Sequence, residues 1–200
     1  MKKLVFAVMA GLLSAGAFAD QGDILARFRV INVNPDVSKD GALSTLKTDV
    51  KDATVPEVDF TYMITNNIGA ELILGTSRHE VTVNSGRTSL GKVSVLPPTL
   101  TLQYHFNPQG DFRPYVGAGI NYTRFYSNDL KVGDQKLDLK NNSYGPALQV
   151  GFDYAINKSW YINVDVKKVD IKTDVKLNGT KLGELKINPW IYGIGFGTKF

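Results

Sequence analysis

The chain lacks cysteine altogether in its 200 residues, which excludes a disulfide framework, a thiolate nucleophile and a Cys-ligated metal. Histidine is nearly absent too. His79 and His105 have no serine and carboxylate pattern of the kind a catalytic triad needs, and no metal-ligand spacing. An excess of one charge is missing: 23 basic residues stand against 19 acidic ones. Two of the basic residues, Lys2 and Lys3, fall in a leader, so the remainder carries a formal +2. That balance supplies no electrostatic footprint for nucleic acid. After residue 19, no apolar run reaches the roughly 20 residues that a membrane-spanning helix requires, and a transmembrane barrel needs none. Glycine is plentiful, but no helix follows Gly117-Ala118-Gly119 or the series Gly193, Gly195 and Gly197. None of these is a phosphate cradle. With no cofactor motif and no catalytic constellation, the expected protein is not an enzyme.

Residues 1–19 read as a secretory signal peptide: two lysines, an apolar stretch over 4–13, and Ala17-Phe18-Ala19 before Asp20. The mature chain is then one domain, 20–200. Its centre is the stretch 95–126, VLPPTLTLQYHF-NPQGDF-RPYVGAGINYTRFY. Alternate residues of its first arm are apolar (Leu96, Pro98, Leu100, Leu102, Tyr104, Phe106), and the second arm repeats the pattern with Pro114, Val116, Ala118, Ile120 and Tyr122. A period of two marks strands with two chemically different faces, and the Asn-Pro-Gln-Gly-Asp link has turn chemistry. About ten residues per arm is the length at which a tilted strand crosses a bilayer.

The same alternation predicts strands near 22–34, 55–64, 68–78, 143–156, from 160 on, and 185–200. That makes eight strands, joined by three short turns at one end. Four long polar loops, 35–53, 79–92, 127–142 and the segment around Asn178-Gly179, stand at the other. The mixed charges of 127–142 suggest a solvated surface. Even parity with this asymmetry of connections fits an all-β, eight-stranded antiparallel transmembrane β-barrel. A soluble lipocalin-like barrel would alternate as well, with its apolar face inward. Glycines on the polar face, which would make room in a narrow lumen, favour the membrane form. So do aromatics at the ends of the apolar stripes, Trp160, Trp190, Tyr122, Tyr154 and Phe106.

Several stretches resemble the OmpW family of small outer-membrane barrels: FTYMITNNIGAELILGT (60–76), LPPTL (96–100), FRPYVGAGINYT (112–123), VGFDYAIN (150–157), VDI (169–171) and NPW…F (188–200). The resemblance implies a multi-pass barrel in the Gram-negative outer membrane, embedded in its lipids; a monomer is expected. The resemblance also implies a mostly hydrophobic lumen proposed to pass small apolar molecules. The terminal Phe200 is then the signal read by the barrel-assembly machinery. Ile73 holds a position where the family narrows the lumen with an apolar side chain. Relatives can set an aromatic opposite; here Lys167 stands there and departs from an apolar gate, so Ile73 and Lys167 are the constriction candidates.

Threading the inward faces sorts them by height. Arg27, Glu71, His105, Arg113, Asp153 and Lys199 fall toward the short-turn end, where buried charges must pair to offset desolvation. Ile31, Val33, Ile73, Pro97, Ile187 and Ile191 fall toward the loops as an apolar cup suited to a small hydrophobic molecule. The competing function is a surface receptor that acts through its extracellular loops.

Overall fold

A computed structural model describes residues 20–200; the expected signal peptide lies outside the described residues. Among these, eight long strands close a barrel: β1 (Ile24–Asn34), β2 (Ala53–Met63), β3 (Ile68–Gly75), β4 (Thr99–His105), β5 (Phe112–Tyr126), β6 (Asn142–Ala155), β7 (Trp160–Val169) and β8 (Trp190–Lys199). Each pairs antiparallel with its neighbour in sequence, and β8 returns to β1 through a continuous register from Leu25↔Lys199 to Asn34↔Trp190. Closure leaves no free sheet edge, as hydrocarbon surroundings demand.

The three short turns are built by local side-chain chemistry. Thr65 Oγ1 accepts the amides of Asn67 at 3.2 Å and Ile68 at 3.0 Å. Asn157 Oδ1 accepts those of Ser159 and Trp160, and Asn107 Nδ2 donates to Phe112 O. Such Asx- and ST-turn bonds fix tight connections without tertiary help.

The barrel is inside-out relative to a soluble one. Ile120, Leu148 and Ile194 face outward at 60–68 % exposure, while Arg27, Asp59 and Glu71 are buried inside at 0–1 %. A lipocalin-like interior would hold the apolar residues and expose the charges, so that alternative is ruled out. Aromatics ring both ends of the outer face. Trp160 stands near Phe196 and Phe112 near Phe152 at the turn end, with the Tyr122–Tyr144 pair toward the loops.

The inward glycines do two jobs, of which the expectation named one. A Cβ on Gly151 would come 2.6 Å from the Tyr115 hydroxyl, and one on Gly197 2.5 Å from the Tyr161 ring. Both make room for a lumen tyrosine. At Gly119 and Gly195 the obstacle is backbone: Leu100 O at 1.9 Å and Phe28 O at 2.0 Å. Those two permit the close strand approach of a strongly curved wall.

The four long loops depart most from the sequence reading. They are not irregular segments over a rim but strands, with one short helix at Gly41–Thr45, that carry the wall upward. Ser77–Val83 and Thr88–Leu96 form a hairpin, which Asp49–Val50 joins from one side and the top of β5 from the other. Lys131–Val132, Gln135–Leu139, Lys172–Leu177, Thr180–Lys186 and Ser38–Lys39 form a second, five-stranded sheet. Asn178 and Gly179, both at positive φ, make the tight hairpin turn for which Asn-Gly is suited. The segment 127–142 is not simply a solvated surface, because Leu130 and Leu137 are each 2 % exposed and face inward. The predicted first arm of the central hairpin is also broken. Thr88–Leu96 ends before Pro97-Pro98 and β4 begins after it, because two prolines remove two ladder donors.

Candidate functional site: an apolar cup over an ion-paired floor

The floor grows from alternate positions of β1, β2 and β7. Arg27 grips Asp153 with two nitrogens, Nε at 3.1 Å and Nη2 at 2.9 Å, while its Nη1 reaches Asp59 at 3.0 Å and Thr61 at 2.8 Å. Arg29, two residues on and on the same face, meets Glu57 at 2.9 Å, Asp59 at 2.6 Å, Asp165 at 3.1 Å and Glu71 at 3.5 Å. Lys167 Nζ completes the group, 2.7 Å from Glu57 and 3.1 Å from Asp165. Neutral side chains satisfy the remaining lone pairs: Thr101 donates to Glu71, Gln149 to Asp165 and Asn163 to Asp153. Forked guanidinium–carboxylate bonds with further hydrogen bonds are the arrangement in which buried charges recover their desolvation cost.

Of the charged residues expected at the base, Arg27, Glu71 and Asp153 join this network. Arg113 stacks over the Tyr161 ring at 4.9 Å, and His105 bonds Gln103 at 3.0 Å beside the Tyr115 ring. Lys199 meets Asp23 at 2.9 Å and Asp20 at 3.9 Å at the turn end. Four members, Arg29, Glu57, Asp59 and Asp165, were absent from the expected set. The period-two alternation already puts them inward; the missing information was the stagger between strands, which sets their height. Lys167, a constriction candidate, is a link in the ionic floor, with its charge held by Glu57 and Asp165.

Above the floor, Ile31, Val33, Ile73, Pro97, Ile187 and Ile191 line one cavity, together with Lys167 at its base. Its central space is about 70 Å³, enough for a few waters or a short, slim apolar chain. The upward-carried sheets, the short helix Gly41–Thr45 and the connection before Lys131 contribute much of the lining: Leu43, Val50, Val81, Leu130, Val175 and Leu185 belong to the same buried cluster. Polar groups are few and mostly satisfied. His79 Nδ1 donates to Lys51 O at 2.9 Å, so Nε2 accepts from Ser77 Oγ at 2.8 Å. Burial holds His79 below the usual 6.5, although its bond to Lys51 and the nearby Asp52 pull upward. Asn121 Nδ2 donates to Thr99 Oγ1 at 2.7 Å and to Pro97 O at 3.2 Å.

An apolar exterior between aromatic rings, a charged interior and no free edge define a transmembrane β-barrel of the bacterial outer-membrane type. The chain belongs to the OmpW family, whose family model matches residues 20–200, and it is a protein of the Gram-negative outer membrane. It is 39 % identical to Outer membrane protein W of Escherichia coli (strain K12) over 217 residues, covering all of both chains. It is 28 % identical to the dibenzothiophene metabolism operon protein PahQ of Pseudomonas aeruginosa over 200 residues, 94 % of this chain and 93 % of that one. Among solved structures, the outer membrane protein OprG from Pseudomonas aeruginosa superposes with a TM-score of 0.84 at 32 % identity. The match covers 93 % of this chain and 99 % of that one.

Proposed function

We propose that the cup takes up a small hydrophobic molecule from outside the cell and releases it into the outer membrane rather than through the barrel. One observation carries this reading: an apolar cavity walled in part by the loop segments stands on a floor of three cations and five carboxylates. Moving an apolar molecule through that floor would break charge pairs that have no other solvation. An eight-stranded barrel has little interior beyond its own side chains. Pro97 lines the cup where the wall lacks ladder donors, so a sideways exit there costs fewer hydrogen bonds than elsewhere. PahQ, named for an operon of dibenzothiophene metabolism, agrees with an apolar ligand.

Shortening 79–92 and 127–142 does not separate this reading from a receptor role through the loops. Those segments supply Val81, Leu90, Leu130 and Leu137 to the cup, so removing them would open it and abolish both functions. The discriminating experiment is titration of the folded barrel with a fluorescent apolar probe. Ile73→Trp places a larger side chain in the cavity and is expected to weaken probe binding at least about tenfold, the effect of losing roughly 1.4 kcal/mol. Unchanged affinity in a correctly folded variant overturns the reading.

A further inference from the structure

The ladder between β6 and β7 ends at Ala147↔Val169. One more bond follows, from Asp170 N to Pro146 O at 3.0 Å. Lys172 N then turns to a side chain, Ser143 Oγ at 3.0 Å, as Lys172–Leu177 leaves to join the five-stranded sheet. The divergence opens a cleft of about 360 Å³ lined by Lys140, Asn142, Ser143, Tyr144 and Lys172, with Asp174 and Glu184 at one side. Tyr144, 73 % exposed, places the cleft on the outer surface of the wall, with the buried Thr173 between it and the cup.

Its lining carries two lysines and two carboxylates, and two further lysines beside it leave a positive excess. Asp174 is engaged by Lys181 at 2.6 Å and Glu184 by Lys186 at 3.8 Å. Lys140 and Lys172 make no ion pair among the described residues. Its height is set by the aromatics. Tyr144 stacks with Tyr122 at 4.9 Å, and Tyr122 donates its hydroxyl proton to Asn142 Oδ1 at 2.9 Å. Interfacial aromatics sit at headgroup level, so two lysines and the donors of Asn142 and Ser143 lie where lipid phosphates lie.

We infer that this cleft binds a phosphate of an outer-leaflet lipid, the phosphorylated saccharide headgroup of lipopolysaccharide. Lys140 and Lys172 supply compact ammonium charges for the phosphate oxygens, and Tyr144 packs beside the sugar and upper acyl region.

The test uses the full mature chain folded in neutral detergent and titrated with labelled lipid A, phosphorylated or enzymatically dephosphorylated. Each lysine near a charged headgroup is worth about fivefold, so the phosphorylated form should bind roughly thirtyfold more tightly. Lys140→Gln/Lys172→Gln should abolish that preference while heat-modifiable migration, the mark of a folded barrel, is unchanged. Lys131→Gln/Lys136→Gln, which removes the same charge from the neighbouring hairpin outside the cleft, should keep it. Equal binding of the two lipids, an unaltered preference in the first variant, or an equal loss in the second overturns the site. Displacement of the lipid by millimolar inorganic phosphate would assign the cleft to the free ion and also overturn it.

Discussion

Lys167 Nζ lies 2.7 Å from Glu57 Oε1, joining residues 110 positions apart in the sequence. The pair closes the top of the ionic floor, and both residues line the cup. It therefore links the stability of the barrel to the shape of its binding surface.

Removing one partner leaves an uncompensated charge. Lys167→Met should destabilise the barrel by about 3 kcal/mol, toward the low end for a broken buried pair because Arg29 still contacts both Glu57 and Asp165. Lys167→Met/Glu57→Gln should recover a substantial part. Urea unfolding in lipid vesicles, followed by tryptophan fluorescence, measures both; simple additivity of the two single changes would argue against direct coupling.

Gly195→Ala places a methyl group 2.0 Å from Phe28 O, and neither strand can yield without losing ladder bonds. Destabilisation of at least about 3 kcal/mol is expected, in the range reserved for a named steric conflict. Gly75→Ala is the internal control, since its Cβ would meet nothing closer than 3.6 Å. If the two variants unfold at the same urea concentration, close strand approach is not what the glycine serves.

Phe200 presents its side chain outward, and its backbone exchanges two bonds with Ile24, each of 2.9 Å. Those bonds survive Phe200→Ala. The variant should therefore refold in vitro with stability within about 0.5 kcal/mol of the parent, as surface changes do. In cells the amount of assembled barrel should fall several-fold, as expected if the assembly machinery reads the aromatic end. Equal losses in both assays would assign Phe200 to packing alone.

The upper hairpin should weaken in acid through His79. Burial lowers its folded-state pKa below the ordinary 6.5, so the unfolded segment binds a proton that the folded one refuses. Stability from this group is complete above about pH 6.5 and is lost as the pH falls below that value toward the folded pKa. Hydrogen exchange of the Ser77–Val83 amides at pH 5 and pH 7 reads the effect directly. In His79→Gln the difference in protection between the two pH values should shrink, and an unaltered difference would exclude His79 as its source.

Local rules made much of this barrel readable. Alternation in 96–106 and 114–122 identified two-faced strands. The side-chain chemistry of Thr65, Asn107 and Asn157 marked the short turns, and the parity of eight strands put both ends of 20–200 on one side. Asn178-Gly179 is an equally local hairpin signal, and it sits in the middle of the segment expected to be a loop.

Tertiary structure decided which inward residues meet. Arg29 contacts carboxylates from β2, β3 and β7, and the shear of the closed barrel sets which of those positions share a height. Shear is a property of eight strands together, whereas alternation is read one strand at a time. The loops follow the same division. The pattern of 127–142 taken alone is that of a charged surface. Leu130 and Leu137 turn inward because Gln135–Leu139 pairs with Lys172–Leu177, a partner that appears only when the sheet is assembled.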